Sequence, residues 1–200
     1  PVPDKQPVVP ADIQPGELPK LSDLGLEEQS IDPKGVLLFK GGETAALERL
    51  QHYFWDADRL QVYKETRNGM LGADYSSKFS PWLANGSLSP RKVHAEVQRY
   101  ERARKKNNST YWMIFELIWR DYFRFVCAKY GRKVFRKSGI RGLPIAWQQD
   151  WKRFDLWREG ETGYQLIDAN MKELAATGFM SNRGRQNVAS ILTKNQGMAW

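Results

Sequence analysis

Apolar positions recur along this chain with the period of a helix, and no run alternates with the period of a strand for long enough to predict one. In "ETAALERLQHYFW", winding at 3.6 residues per turn puts Ala46, Leu47, Leu50, Tyr53 and Phe54 on one stripe. Ser80–Pro81 and Ser89–Pro90 each read as an N-cap followed by a first-turn proline. They open two helices parted by the stop Asn85–Gly86. "STYWMIFELIWRDYFRF", residues 109–125, is the most apolar stretch and reads as a buried helix. "DANMKELAATG" begins with an Asp168 cap and ends at Gly178, and "SNRGRQNVASILTKN" forms a last helix starting at Asn182. The predicted fold class is all-α.

Composition sharpens the boundaries. Six of the ten prolines fall within residues 1–19, mixed with Asp, Gln and Gly, a segment that cannot build a packed core. Residues 1–36 therefore read as a linker and residues 37–200 as the ordered body, beginning around "GVLLFKGGE". The chain opens on Pro1 without a signal segment or membrane span, so an excised or incomplete soluble chain is expected. Cys127 is the single cysteine, which excludes an internal disulfide, and only His52 and His94 accompany it, so no protein-held metal is expected. In the apolar run Phe125–Val126–Cys127–Ala128 it reads as a small core residue.

Charge adds a direction. The formal net charge is +8, concentrated in "RYERARKKNN" and "GRKVFRKSGIRG" on either side of the aromatic helix. Such clusters are either a solvated face or a seat for nucleic-acid phosphates. Glu116 and Arg120 stand four apart among Trp112, Phe115, Trp119, Tyr122 and Phe123. They are either a helix-stabilising pair at the core's edge or the wall of a site whose ligand completes their hydrogen bonds. "DYSSKFSPW" sets Ser76, Ser77 and Ser80 around Lys78 before a helix, which is plain capping or a phosphate seat. Arg183 and Arg185 fall in a helix's first turn, where cations oppose the dipole. That placement is either an exposed first turn or points to an anionic partner. Trp147, Trp151 and Trp157 cluster within eleven residues and read by default as core packing.

Jointly, "YKETRNGMLGADYSSKFSPWLANGSLSPR", "STYWMIFELIWRDYFRF" and "TGYQLIDANMKELAATGFMSNRGRQNVAS" resemble signature stretches of the photolyase/cryptochrome superfamily, in particular its cryptochrome DASH branch. The resemblance covers about residues 37–200 and implies the N-terminal part of a helical FAD-binding domain, preceded by a linker from an α/β antenna domain. It implies FAD contacts at Tyr63, Ser76, Ser77, Lys78, Phe79, Ser80, Met113, Arg120, Phe179, Asn182 and Arg185, with the serine run at the phosphates and Asn182 facing the reactive edge of the ring. Trp147 matches the outer member of the tryptophan chain that photoreduces the flavin. Glu116 and Trp119 match the wall of a cavity that receives a flipped pyrimidine dimer, joined in nucleic-acid binding by Phe123 and Arg183.

The implied reaction is light-driven electron transfer that splits cyclobutane pyrimidine dimers, preferably in single-stranded DNA, by a monomer. Glu116, Trp119 and Asn182 carry the catalytic roles, and a folate antenna (MTHF) sits in the α/β domain. The resemblance places no membrane among the partners and an intracellular compartment around the protein: nucleus, organelle or bacterial cytoplasm. Three departures stand out: Gln165 for the usual proline, Ala199 for the usual aspartate before Trp200, and a chain that stops before the rest of the flavin pocket. This stretch alone is therefore expected to hold FAD poorly and to be inactive. The rival readings are a blue-light photoreceptor without repair and a flavin-free helical nucleic-acid-binding module.

Overall fold

The longest helix shows how local sequence sets an element. Asn107 precedes it, and its side-chain oxygen accepts from the backbone N–H of Ser109 and Thr110, at 2.9 and 3.0 Å. The Thr110 hydroxyl accepts from the Asn107 N–H in return, which closes a reciprocal cap. From that cap α5 (Asn108–Tyr130) runs for 23 residues. The computed structural model describes residues 10–14, 16–27 and 32–199. Of the linker expected over 1–36, residues 1–9, 15 and 28–31 lie outside the described residues, as does Trp200.

Among the described residues there are no strands, only an isolated bridge between Gln148 and Met198, so the architecture is all-α. The other helices are α1 (Glu43–Gln51), α2 (Tyr63–Thr66), α3 (Ser80–Asn85), α4 (Pro90–Ala103), α6 (Trp151–Glu159), α7 (Gln165–Thr177) and α8 (Asn182–Ser190). Ser89 caps α4 as read, and Gly86 and Gly178 end α3 and α7 in the left-handed conformation. Ser80 does not cap: it is the first residue of α3, and Phe79 holds the cap position. Asp168 lies inside α7, whose cap position is Tyr164. Its carboxylate reaches back to accept from the Thr162 and Gly163 N–H groups, each at 2.9 Å, and so ties down the preceding turn.

The main core gathers the α1 stripe, including Ala46, Leu50, Tyr53 and Phe54, against Leu60, Tyr63, Phe79, Trp82 and the α4 residues Val93, Val97 and Tyr100. A second, smaller core joins Ile167 and Met171 of α7, Met180, and Val188 of α8, with Trp157 packed against it. There α7 and α8 cross closely at Gly184, where an added Cβ would run into the side chain of Asn170. The described links between the two cores include a Phe39–Phe179 stack at 5.8 Å and the Arg183–Asn68 hydrogen bond at 2.7 Å.

Helix α5 is not the buried rod its composition suggests. Only Ser109, Thr110 and Met113 are buried on it, while Tyr111, Ile118, Trp119, Tyr122, Phe123 and Phe125 are exposed. Paired as a hairpin with the 14-residue α4, it runs past the end of its partner. For the same reason Cys127, near its far end, is exposed rather than a core residue. Of the tryptophan trio, Trp157 packs and donates to the Val188 carbonyl at 2.9 Å, whereas Trp151 is 73 % exposed.

Candidate functional site

A cleft of about 640 Å³ lies between the two cores, within the usual range for a cofactor site. One wall is the irregular run of residues 75–81 leading into α3, which contributes Tyr75, Ser76, Ser77, Lys78, Phe79 and Ser80. Tyr63 and Arg67 of α2 and Glu116 of α5 form a second wall. Phe179, Met180, Asn182 and Arg185 close the third, at the α7–α8 junction.

Its electrostatics favour an anion. Lys78 is 6 % exposed, and its ammonium makes no hydrogen bond among the described residues. It rests over the Tyr75 ring, 3.2 Å from the centroid, and 5.7 Å from that of Phe179. Burial, with Arg49 nearby, pulls its pKa down from 10.5 to about 8. Its backbone is left-handed, with φ at 56°, which side chains other than glycine adopt only when the surroundings demand it. The hydroxyls of Ser76, Ser77 and Ser80 find no protein partner among the described residues. Burial and the neighbouring Glu116 charge push the Tyr63 phenol up to about 12, so it stays a neutral donor.

The pair expected between Glu116 and Arg120 does not form. Glu116 is held instead by Arg67, with Nη1 to Oε1 at 2.6 Å, and Arg120 pairs with Asp121 at 3.1 Å. Arg120 also donates to the Leu83 carbonyl and lines a separate groove of about 560 Å³ between α4 and α5, away from the cleft lining. Met113, expected at the flavin, is buried in the main core and is not among the residues that line the cleft. Trp119, 42 % exposed, and Phe123 stack at 5.6 Å on the outer face of α5, continuing a ladder from Tyr111 and Phe115. Arg183 binds Asn68 and Gln186 at the rim. Trp147 stands apart, in the loop after α5, and donates its indole N–H to the Lys137 carbonyl at 2.7 Å.

Comparison with known proteins decides the family. The description "FAD binding domain of DNA photolyase" matches residues 112–200. Cryptochrome DASH of Gloeobacter violaceus is 64 % identical over all 200 residues, which make up 40 % of that protein. The chain belongs to the photolyase/cryptochrome family. Among solved structures, the Synechocystis cryptochrome superposes with a TM-score of 0.87 at 61 % identity, covering 91 % of this chain and 37 % of that one. The class III photolyase of Agrobacterium tumefaciens superposes with a TM-score of 0.80 at 28 % identity, covering 94 % and 39 %. The chain thus spans about two fifths of the length of the Gloeobacter cryptochrome DASH.

Within this photolyase/cryptochrome fold, the cleft unites Tyr63, the run Ser76 to Ser80, Glu116, Phe179, Asn182 and Arg185, all singled out from sequence. Sequence reasoning missed Arg67, Phe39 and Tyr75. Arg67 stands four residues after Tyr63, a spacing that puts both on one helix face, so a signal was there to be read.

Proposed function

We propose that this chain supplies the phosphate-gripping part of a flavin site, and that the whole protein uses blue light to repair cyclobutane pyrimidine dimers in DNA, single strands preferentially. One observation carries the reading: a buried ammonium without a hydrogen-bond partner, Lys78, converges with three unpartnered hydroxyls on a cleft whose far wall bears Asn182 and Arg185. An unpaired buried cation is costly, and a phosphate oxygen relieves that cost. The residues therefore fit FAD, with Ser76, Ser77, Lys78 and Ser80 taking its phosphates and Asn182 and Arg185 its ring system. FAD bound there would supply the light-driven electron-transfer chemistry.

The protein's own groups bind, orient and exclude water. Phe39, Phe179 and Met180 give the cleft an apolar side that keeps solvent from the ring. Glu116, fixed by Arg67, presents a carboxylate oxygen that can accept from the N–H edge of a base. The α5 aromatics offer flat apolar faces to unstacked bases, each worth about 1–3 kcal/mol. Flipping a base out costs least from a single strand. Arg183 and the basic clusters around residues 99–106 and 132–141 suit backbone phosphates, which makes affinity fall with salt.

The test is the visible spectrum of the whole protein, followed by dimer counts in single- and double-stranded oligonucleotides after blue light. A flavin spectrum with dimer loss, faster in single strands, is the expected result. Flavin without dimer loss in either substrate replaces repair with photoreception. DNA binding without a flavin spectrum leaves only the nucleic-acid-binding module.

A further inference from the structure

The wall that carries Lys78 and the serines has no regular structure of its own, since no helix covers residues 67–79. What shapes it is a single side chain from the opposite side of the core. Arg49 of α1 is 7 % exposed and spends four hydrogen bonds on this loop. Its Nε donates to the Ser77 carbonyl at 3.0 Å, and Nη2 donates to the carbonyls of Ala73 and Ser76 at 2.9 and 3.3 Å. Nη1 meets the Asp74 carboxylate at 2.8 Å, and Asp74 also takes His52 Nε2 at 3.2 Å. The guanidinium lies over the Tyr53 ring, 5.3 Å from its centroid, which leaves it little freedom. A planar fork with donors on two edges can hold several carbonyls at once, and a lysine in its place cannot.

The carbonyl of Ser77 is the last one held before the backbone turns left-handed at Lys78. With the Ser76 and Ser77 carbonyls held by Arg49, Ser76, Ser77 and Lys78 line the cleft, and Arg49 is not among its lining residues. We propose that Arg49 is the positioning residue of the cleft: its grip on the Ala73, Ser76 and Ser77 carbonyls fixes the turn at Lys78 and thereby makes the cleft select ligands that carry phosphate. Arg49 itself never reaches the ligand. The ligand class rests on the FAD reading given above, and the hold on the loop does not.

The experiment has two arms, run on the whole protein with Arg49→Lys, Arg49→Gln and Asp74→Asn. In the first, hydrogen exchange of the unliganded protein is followed by mass spectrometry. Arg49→Gln is expected to speed exchange of amides 75–80 at least tenfold, with α4 unchanged. In the second, FAD and riboflavin are titrated separately. The wild type is expected to prefer FAD, and Arg49→Gln to lower that preference tenfold with riboflavin affinity held, an effect that simple loss of stability does not produce.

Methylguanidinium added to Arg49→Ala is expected to restore the preference. Should the arginine variants not fold, Asp74→Asn, which keeps the three carbonyl bonds, is expected to retain the preference and the slow exchange of 76–80. Unchanged exchange in Arg49→Gln, or equal losses of FAD and riboflavin affinity, overturns the proposal. A whole wild-type protein that binds neither flavin refutes the FAD reading, and the exchange arm then decides the role of Arg49 alone.

Discussion

Lys78 joins two unfavourable features in one residue, a left-handed backbone and a buried ammonium without an acceptor. Its pKa is depressed to about 8, so between pH 8 and 10.5 the folded state binds fewer protons than the unfolded one. Stability from this group therefore rises as pH climbs through that window, by roughly 2–3 kcal/mol. Urea titrations at pH 8 and pH 10 are expected to show that rise in the wild type and not in Lys78→Met. Asp74 gives a slope of the same sign, at the acid end of the scale. Burial alone would raise its pKa, but hydrogen bonds from Arg49 and His52 outweigh that and hold it below the usual carboxylate range. Its contribution is present above the unfolded pKa and is lost as pH falls through the folded one, so Asp74→Asn is expected to flatten the acid limb of the stability curve. Residues of this kind differ in legibility. Lys78 was readable because it sits inside a serine run that stands out. Arg49 was not, because its partners are backbone carbonyls 24 to 28 positions away, which leave no trace in side-chain spacing.

At the scale of elements, capping chemistry and apolar period located α1, α4, α8 and the end of α7, while the start of α7 lies three residues before the expected Asp168 cap. Burial was the harder inference. The aromatic density of α5 suggested a covered helix, yet its length beyond α4 leaves the rings in solvent, and length of overlap is a tertiary quantity. Likewise the Glu116–Arg120 spacing was correct for a helical pair, but a stronger partner, Arg67, approaches from α2. The α7–α8 crossing gives the sharpest test. Gly184 abuts the buried Asn170, whose amide donates to the Leu166 carbonyl at 2.7 Å and so cannot swing aside freely. Gly184→Ala is expected to destabilise by about 1–3 kcal/mol through overpacking. Chemical denaturation followed by Trp157 fluorescence checks it, because Trp157 reports on that core.

Among the described residues the chain forms two cores with the cleft between them, linked by contacts that include the Phe39–Phe179 stack and the Arg183–Asn68 hydrogen bond. Such a division weakens the cooperativity of unfolding. Without ligand, far-UV circular dichroism and calorimetry are expected to give two overlapping transitions, with the α7–α8 core melting first. A ligand that touches both walls favours the state in which both are folded, so saturating FAD is expected to merge the transitions. Coincident transitions in its absence would show that the links through Phe39 and Arg183 suffice. The all-α class was legible because helical periodicity is local. The split between cores was not, because it depends on which helices meet.

The exposed thiol on α5 has a practical consequence. Cys127 is the only cysteine in these 200 residues, so its oxidation has no partner within this stretch. Storage in air will tether two copies through their longest helices or carry the sulfur up to sulfenic and sulfinic acids. The same solitude gives a one-to-one attachment point for a maleimide dye, one turn from Phe123, from which quenching by anything that settles on the aromatic ladder can be watched.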